Sequence, residues 1–278
     1  MNWLKRFAAD SPIAFSSVTT ALLWICYIAA GVAASLLGTT AEGQQIANAV
    51  GRSVAVLIFL GVLWRFGWLR AAGITKLGTW RSWLLVLPVL VYEILTHLYA
   101  FFGSFALGVP ETPLARAVAL NGAAAGLLEE LVYRALVLYV LMRLWGGTRP
   151  GILRSALVSS LFFGAAHLIH LALGRPAPLV LLLSVSAFLG GIYYAGFALS
   201  AGSVWPAVVL HVLLNAVVGA QAVGNPGFAE TVSGWLVVLA LQLPAVVLGI
   251  WLIRRVPPCS VLPAATCHLD RLDEIVHQ

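Results

Sequence analysis

Charge is what this sequence has least of. Only 9% of its 278 residues are Asp, Glu, Lys or Arg, against 61% hydrophobic, and the mean hydropathy is +0.98. A water-soluble domain carries about a quarter charged residues, so this scarcity excludes one and leaves a chain whose surface faces lipid. Cysteine is also sparse. Cys26 lies in an apolar run and Cys259 and Cys267 lie near the end, a spacing that makes neither a disulfide framework nor a zinc ribbon. No internal repeat, low-complexity tract or heptad array is present, which removes solenoids and coiled coils. The compact His-Glu-x-x-His helix of soluble zinc proteases is missing too.

What the chain does have is eight apolar stretches, near 13–37, 53–70, 82–106, 117–141, 155–173, 178–199, 205–222 and 232–253. Each approaches the roughly 20 residues that cross the hydrocarbon of a bilayer. The expected fold is all-α, a polytopic transmembrane helical bundle of about eight spans. It forms one membrane domain over residues 1–278, with a cytoplasmic tail at 254–278. The first stretch follows Lys5 and Arg6 but is about 25 residues long, beyond the apolar run of a signal peptide, so it reads as an uncleaved span.

Basic residues sort by loop. Lys5 and Arg6, then Arg70, Lys76 and Arg81, then Arg143, Arg149 and Arg154, then Arg254 and Arg255 fall on one side; the intervening loops hold Arg52, Arg116 and Arg175. The positive-inside rule places both termini in the cytoplasm, and the expected location is a bacterial inner (plasma) membrane. The net charge of +6 is therefore a topology signal. Its residues are dispersed at helix ends, so the partner implied is the lipid bilayer and not nucleic acid.

Against this background "GLLEELVYRALVLYV", residues 126–140, stands out. An ionised side chain at mid-bilayer costs about 2.5–3.5 kcal/mol on insertion scales, so Glu129, Glu130 and Arg134 together would oppose insertion by roughly 8–10 kcal/mol if unpaired. Glu130 and Arg134, four apart with the acid first, meet on one helical face and form a structural ion pair. Glu129 is rotated by about 100° from its neighbour and needs another partner. Candidates lie in later spans: His167 and His170 in "LFFGAAHLIH", and His211 and Asn215, four apart and on one face, in "WPAVVLHVLLN". A carboxylate, imidazoles and an amide on separate spans are the ingredients of an intramembrane polar site.

Three stretches in this order, "EELVYR" (129–134), "FGAAH" (163–167) and "HVLLN" (211–215), resemble the CPBP family of intramembrane proteases. That family includes the CAAX prenyl proteases of the Rce1 type and the bacterial Abi and bacteriocin-immunity proteins. The resemblance covers residues 117–222 and implies an intramembrane endopeptidase. Its substrates would be membrane-associated or lipid-modified (CAAX-like) proteins or peptides. Carried over, Glu129 activates water with His167 beside it, His211 and Asn215 hold the oxyanion, and Glu130 and Arg134 keep their pairing. Glu129, His167 and His211 could alternatively hold a zinc ion, and a metal-free glutamate mechanism is equally open.

Two readings compete with the enzyme: a membrane scaffold or bacteriocin-immunity protein that keeps the same polar cluster, and a proton-coupled transporter. The paired inverted repeat common in transporters is missing. Other features have plainer readings. Glu93 and His97 in "LVYEILTHLYA" pair along one helix. His170 either lines the rim of a cavity or sits near the interface. The tryptophans at span ends form an interfacial belt, and the small residues of "SVSAFLGGIYYAGFALSAG" let span six pack closely.

Overall fold

The computed structural model describes residues 2–103, 105, 111–225 and 229–258. The chain runs through α1 (Asn2–Asp10), α2 (Pro12–Leu37), α3 (Ala41–Arg65), α4 (Trp80–Phe102) and α5 (Pro113–Glu130). A π-helical stretch (Leu131–Leu138) leads into α6 (Tyr139–Trp145), followed by α7 (Arg149–Ala166), α8 (Ile169–Ala172), α9 (Ala177–Ala201), α10 (Trp205–Gly224) and α11 (Val232–Arg255). No strand occurs among the described residues. Most of the tail expected at 254–278, with Cys259 and Cys267, lies outside them.

Threonine starts five of these helices. The hydroxyls of Thr40, Thr79, Thr112, Thr148 and Thr231 accept from the backbone N–H three residues on, each such cap contributing about 1 kcal/mol. At the other end, Gly103 (φ 63°) and Gly202 (φ 60°) close α4 and α9 in the left-handed conformation that only glycine adopts cheaply.

Among the described residues, seven helical stretches are long and apolar enough to cross a membrane, α7 and α8 counting together as one. The remaining expected span, the fourth in chain order, is the unbroken helical run α5–π–α6. Its length suffices, but it carries Glu129, Glu130 and Arg134 and is sheathed by the others, with every residue from Leu131 to Leu138 buried. It is the central helix of the bundle.

Two boundaries differ from the expectation for identifiable reasons. The second span begins at Ala41, not near 53, because "TAEGQQIANAVGR" is capped by Thr40 and remains helical. Arg52, expected in a loop, thus sits well inside α3. The span expected at 155–173 is broken after Ala166. There the indole of Trp24 donates to the Ala166 carbonyl (2.8 Å), and the His167 ring takes up the Phe163 carbonyl (2.9 Å), so the helix end is satisfied from the side. In the π stretch, the Ser159 hydroxyl donates to the Tyr133 carbonyl (2.8 Å), supplying a partner where the regular ladder is interrupted.

Small residues set the packing, as their spacing implies. A methyl at Gly191 would meet the backbone of Ser160 on α7 at 2.9 Å, and one at Gly196 the Gly249 carbonyl on α11 at 2.6 Å. Gly126 likewise lets α5 approach Val212 on α10. The basic residues gather at one end of the bundle: Arg149 and Arg254 line one crevice, Lys5 and Arg143 another, and the Ser203 hydroxyl donates to the Lys76 carbonyl between two loops of that end. The opposite end is tied by Arg175 to Glu230 at 2.5 Å.

Candidate active site

Glu130 and Arg134 meet on one face, as their spacing predicts. Arg134 Nε lies 3.2 Å from Glu130 Oε2, and neither side chain reaches solvent. The guanidinium is also sandwiched by aromatic faces, 4.5 Å from the Phe163 ring centroid and 5.1 Å from that of Tyr194. These contacts offset some of the cost of burying a cation. Glu130 does more than neutralise Arg134. Its Oε1 accepts from His211 Nδ1 at 2.9 Å, which fixes the imidazole and turns Nε2 outward.

That outward Nε2 lies 3.7 Å from Glu129 Oε2, beyond a hydrogen bond but a span that one water can bridge. The two adjacent glutamates thus take different roles. Glu130 is sealed, whereas the Glu129 side chain keeps 14% of its surface accessible. The Tyr27 hydroxyl donates to Glu129 Oε1 at 2.5 Å, leaving Oε2 for chemistry.

The two imidazoles are held by aromatics. Phe163 meets His167 edge-on (5.1 Å, 85°) and His211 edge-on (5.6 Å, 76°), and Tyr194 stacks on His211 (4.9 Å, 17°). With Nδ1 of His167 donating to the Phe163 carbonyl, its Nε2 is free to accept from a water. His167 and His211 both interact electrostatically with Glu129.

Two cavities meet at this cluster. The first, about 500 Å³, is walled largely by apolar groups of α2, α7 and α8 and contains Tyr27, Arg52, Glu129, His167 and His170. The second, about 210 Å³, contains His167, His211, Asn215, Tyr193, Tyr194 and Gln242. His167 faces both. Asn215 shares the second cavity with His211, as the four-residue spacing predicts, and its amide stays clear of Glu129's cavity. His170 lines the first cavity, one of the two placements open to it.

Glu93 and His97 lie one turn apart on α4, but His97 Nδ1 donates to the backbone carbonyl of Glu93 at 2.8 Å and stays 4.0 Å from its carboxylate, so the bond is intrahelical without being the side-chain pair their spacing suggested. They stand apart from Glu129. Among the described residues, no three of His, Cys, Asp and Glu gather so as to hold a metal ion. Glu129, His167 and His211 form no such group as placed; a zinc ion held there would take Glu129 Oε2 and the Nε2 atoms of His167 and His211, whose Nδ1 atoms are anchored by the Phe163 carbonyl and by Glu130.

Two site residues escaped the sequence reading. Tyr27 and Arg52 come from α2 and α3, outside the three motifs. The guanidinium of Arg52 lies over the Tyr27 ring at 4.6 Å and donates through Nη1 to the carbonyl and side-chain oxygens of Asn121 (3.1 and 2.7 Å). A polar tip within an apolar span was the only available signal.

The fold and site define a polytopic membrane protein with a paired carboxylate–imidazole centre set inside the bundle. Residues 111–217 match the Rce1-like family of type II CAAX prenyl endopeptidases. The relationship carried by the three motifs therefore holds over the stretch that contains them. No curated protein and no solved structure matches the chain.

Proposed function

We propose that this protein is an intramembrane endopeptidase that cleaves membrane-associated or lipid-modified proteins by a glutamate-activated water. The observation that carries the reading is the placement of Glu129: one oxygen is held by Tyr27, and the other is open to the cavity at 3.7 Å from His211 Nε2.

In this mechanism Glu129 Oε2 takes a proton from a water that His167 Nε2 helps to orient. The resulting hydroxide adds to the scissile carbonyl carbon. The oxygen of that carbonyl gains the negative charge and is met by the Asn215 amide and by His211 Nε2, which donates when His211 is an imidazolium whose other N–H stays on Glu130, an arrangement that supplies a few kcal/mol to the transition state. Collapse of the tetrahedral intermediate breaks the C–N bond, and the proton on Glu129 passes to the departing amine nitrogen. Glu130 and Arg134 act through His211, holding it against reorientation. No step runs through a metal, so treatment with a chelator is expected to leave the rate of the purified protein unchanged.

The basic end of the bundle faces the cytoplasm in this reading, with both termini there, and the membrane is a bacterial inner membrane. The decisive experiment compares protein termini in membranes from cells carrying the native chain with those carrying Glu129→Gln, at matched expression. New termini confined to the native chain are expected and name the substrate. Identical termini, with the variant still biologically active, would replace the peptidase with a binding or immunity role.

A further inference from the structure

The two ends of the bundle differ in what they leave open. Glu129 stands midway along the central run from Pro113 to Trp145, and both cavities extend from its level toward the end tied by Arg175 and Glu230. In α2 the wall of the first cavity runs from Leu23 to Ser35, about 18 Å along the helix, and stops just short of Leu37. From α3 it takes Asn48 and Arg52 in the first half, and Leu173 stands just before Arg175. The second cavity reaches the same end, since Glu230 is one of its walls and also the partner of Arg175. The basic end is packed shut by its own loops. Trp205 Nε1 donates to the Ile74 carbonyl at 2.8 Å, the Val204 N–H to the Gly73 carbonyl at 3.3 Å and the Ser203 hydroxyl to the Lys76 carbonyl, which seats the segment between α3 and α4 against the turn between α9 and α10. Trp68 and Ala72 of that segment are buried. Among the described residues, the crevices of that end share no wall with either cavity at Glu129.

Resting on the endopeptidase reading, we infer that the site is served from the extracytoplasmic face, and that the bond it cuts lies in the outer half of a membrane-embedded segment already carried across the bilayer. A helix end rich in Lys and Arg stays in the cytoplasm, and among the described residues only Arg116 and Arg175 stand near the other end. The end to which both cavities rise is therefore the outer one. A bond held in the cytoplasm would have to pass the closed end to reach Glu129. A segment in the outer half of the bilayer meets the apolar wall of Ile28, Val32 and Leu173 directly. Each bond cut consumes one water, and the second cavity gives it a polar route: Glu230, Ser186 and Gln242 line the way to His211 and Asn215. Polar groups at membrane depth are tolerated where they line a water-filled space.

The test is thiol access on the full chain bearing Cys26→Ala, Cys259→Ala and Cys267→Ala. To this is added Ser35→Cys at the cavity rim, Ala125→Cys one turn from Glu129, or Arg254→Cys at the basic end. Each chain meets a small, membrane-impermeant thiosulfonate in right-side-out spheroplasts and in inside-out vesicles. Ser35→Cys and Ala125→Cys are expected to react about tenfold faster in the spheroplasts, and Arg254→Cys about tenfold faster in the vesicles. Faster reaction of Ala125→Cys in the vesicles would overturn the inference, and the other two chains would then tell an inverted protein from a site that opens past the basic end. Silence of Ala125→Cys in both preparations beside a reactive Ser35→Cys would overturn it as well, leaving access through lipid alone. Should Ala125→Cys fail to fold, Leu173→Cys at an exposed rim position reports the side of opening in its place. Protein termini from cells carrying the native chain or Glu129→Gln are mapped in parallel, and those specific to the native chain are expected in the outer halves of spanning segments. Such termini confined to cytoplasmic segments would keep the peptidase and refute this inference. Outside access with no terminus specific to the native chain would refute the peptidase, and with it the substrate inferred, while the opening stands.

Discussion

The cavity that holds Glu129 has a volume of about 500 Å³ and is walled mainly by Leu23, Ile28, Val32, Ala166 and Leu173. The one that holds His211 and Asn215 has about 210 Å³ and is ringed by Tyr193, Tyr194, Ser186 and Gln242. The first suits a hydrophobic chain entering from the lipid. The second holds polar groups in fixed positions: Ser186 donates to Gln242 Oε1 (3.1 Å), Gln242 donates to the Tyr193 hydroxyl (3.3 Å), and Tyr194 stacks on His211. The apolar cavity and the fixed donors are therefore separated, and in the proposed mechanism the scissile group sits at their common wall, beside His167. A preorganised polar pocket costs no reorganisation when charge develops, while an adaptable apolar cleft can accept varied substrates.

The largest expected effect tests the wall itself. Glu129→Gln should lower the peptidase rate of the purified protein by about 10³-fold or more with an unchanged thermal midpoint in detergent. A retained rate would remove Glu129 from the chemistry. Its neighbour belongs to the scaffold, so the matching break is in stability. Arg134→Met leaves the sealed Glu130 without its cation and should cost about 3–5 kcal/mol, read as a lowered midpoint and loss of folded protein. A variant as stable as the native chain would show that His211 alone suffices for Glu130.

Within the polar cavity, Asn215→Ala should reduce kcat by about 10²-fold at nearly constant KM, the signature of a donor used in the transition state. A change confined to KM would make Asn215 a binding residue. On the apolar side, Tyr27→Phe removes one hydrogen bond to a charged carboxylate and should slow turnover by about tenfold. An unaltered rate would mean that the Tyr27 hydroxyl does not help to position Glu129.

Much of the centre could be read along single helices. The contact of Glu130 with Arg134 follows from a four-residue spacing, the shared cavity of His211 and Asn215 from another, and the close packing of the ninth helix from its glycines. The relation of Glu129 to its neighbours could not be read this way. Adjacent residues on one helix point apart, and nothing in "EE" says that His211 will bridge the two carboxylates while Tyr27 takes the first from the far side of the bundle. Arg52 was hidden by its surroundings. A polar segment before an apolar run reads as a loop, but Thr40 caps it and Gln45, Asn121 and Arg52 satisfy one another inside the bundle.

Composition and periodicity by themselves determined that the chain is helical, lies in a membrane and sets residues 130 and 134, and 211 and 215, on shared helix faces, while the resemblance to a known family singled out residues 129, 167, 211 and 215 as one centre. This is because hydropathy and i,i+4 geometry act within about 20 residues. Tertiary structure alone decided which glutamate is sealed and which is open, where the fourth span turns π-helical and the fifth breaks, and that two cavities meet at His167. Those outcomes depend on contacts between residues about 100 positions apart, such as Tyr27 with Glu129 and Glu130 with His211. Such contacts form only when glycines and aromatic side chains fix how the helices pack.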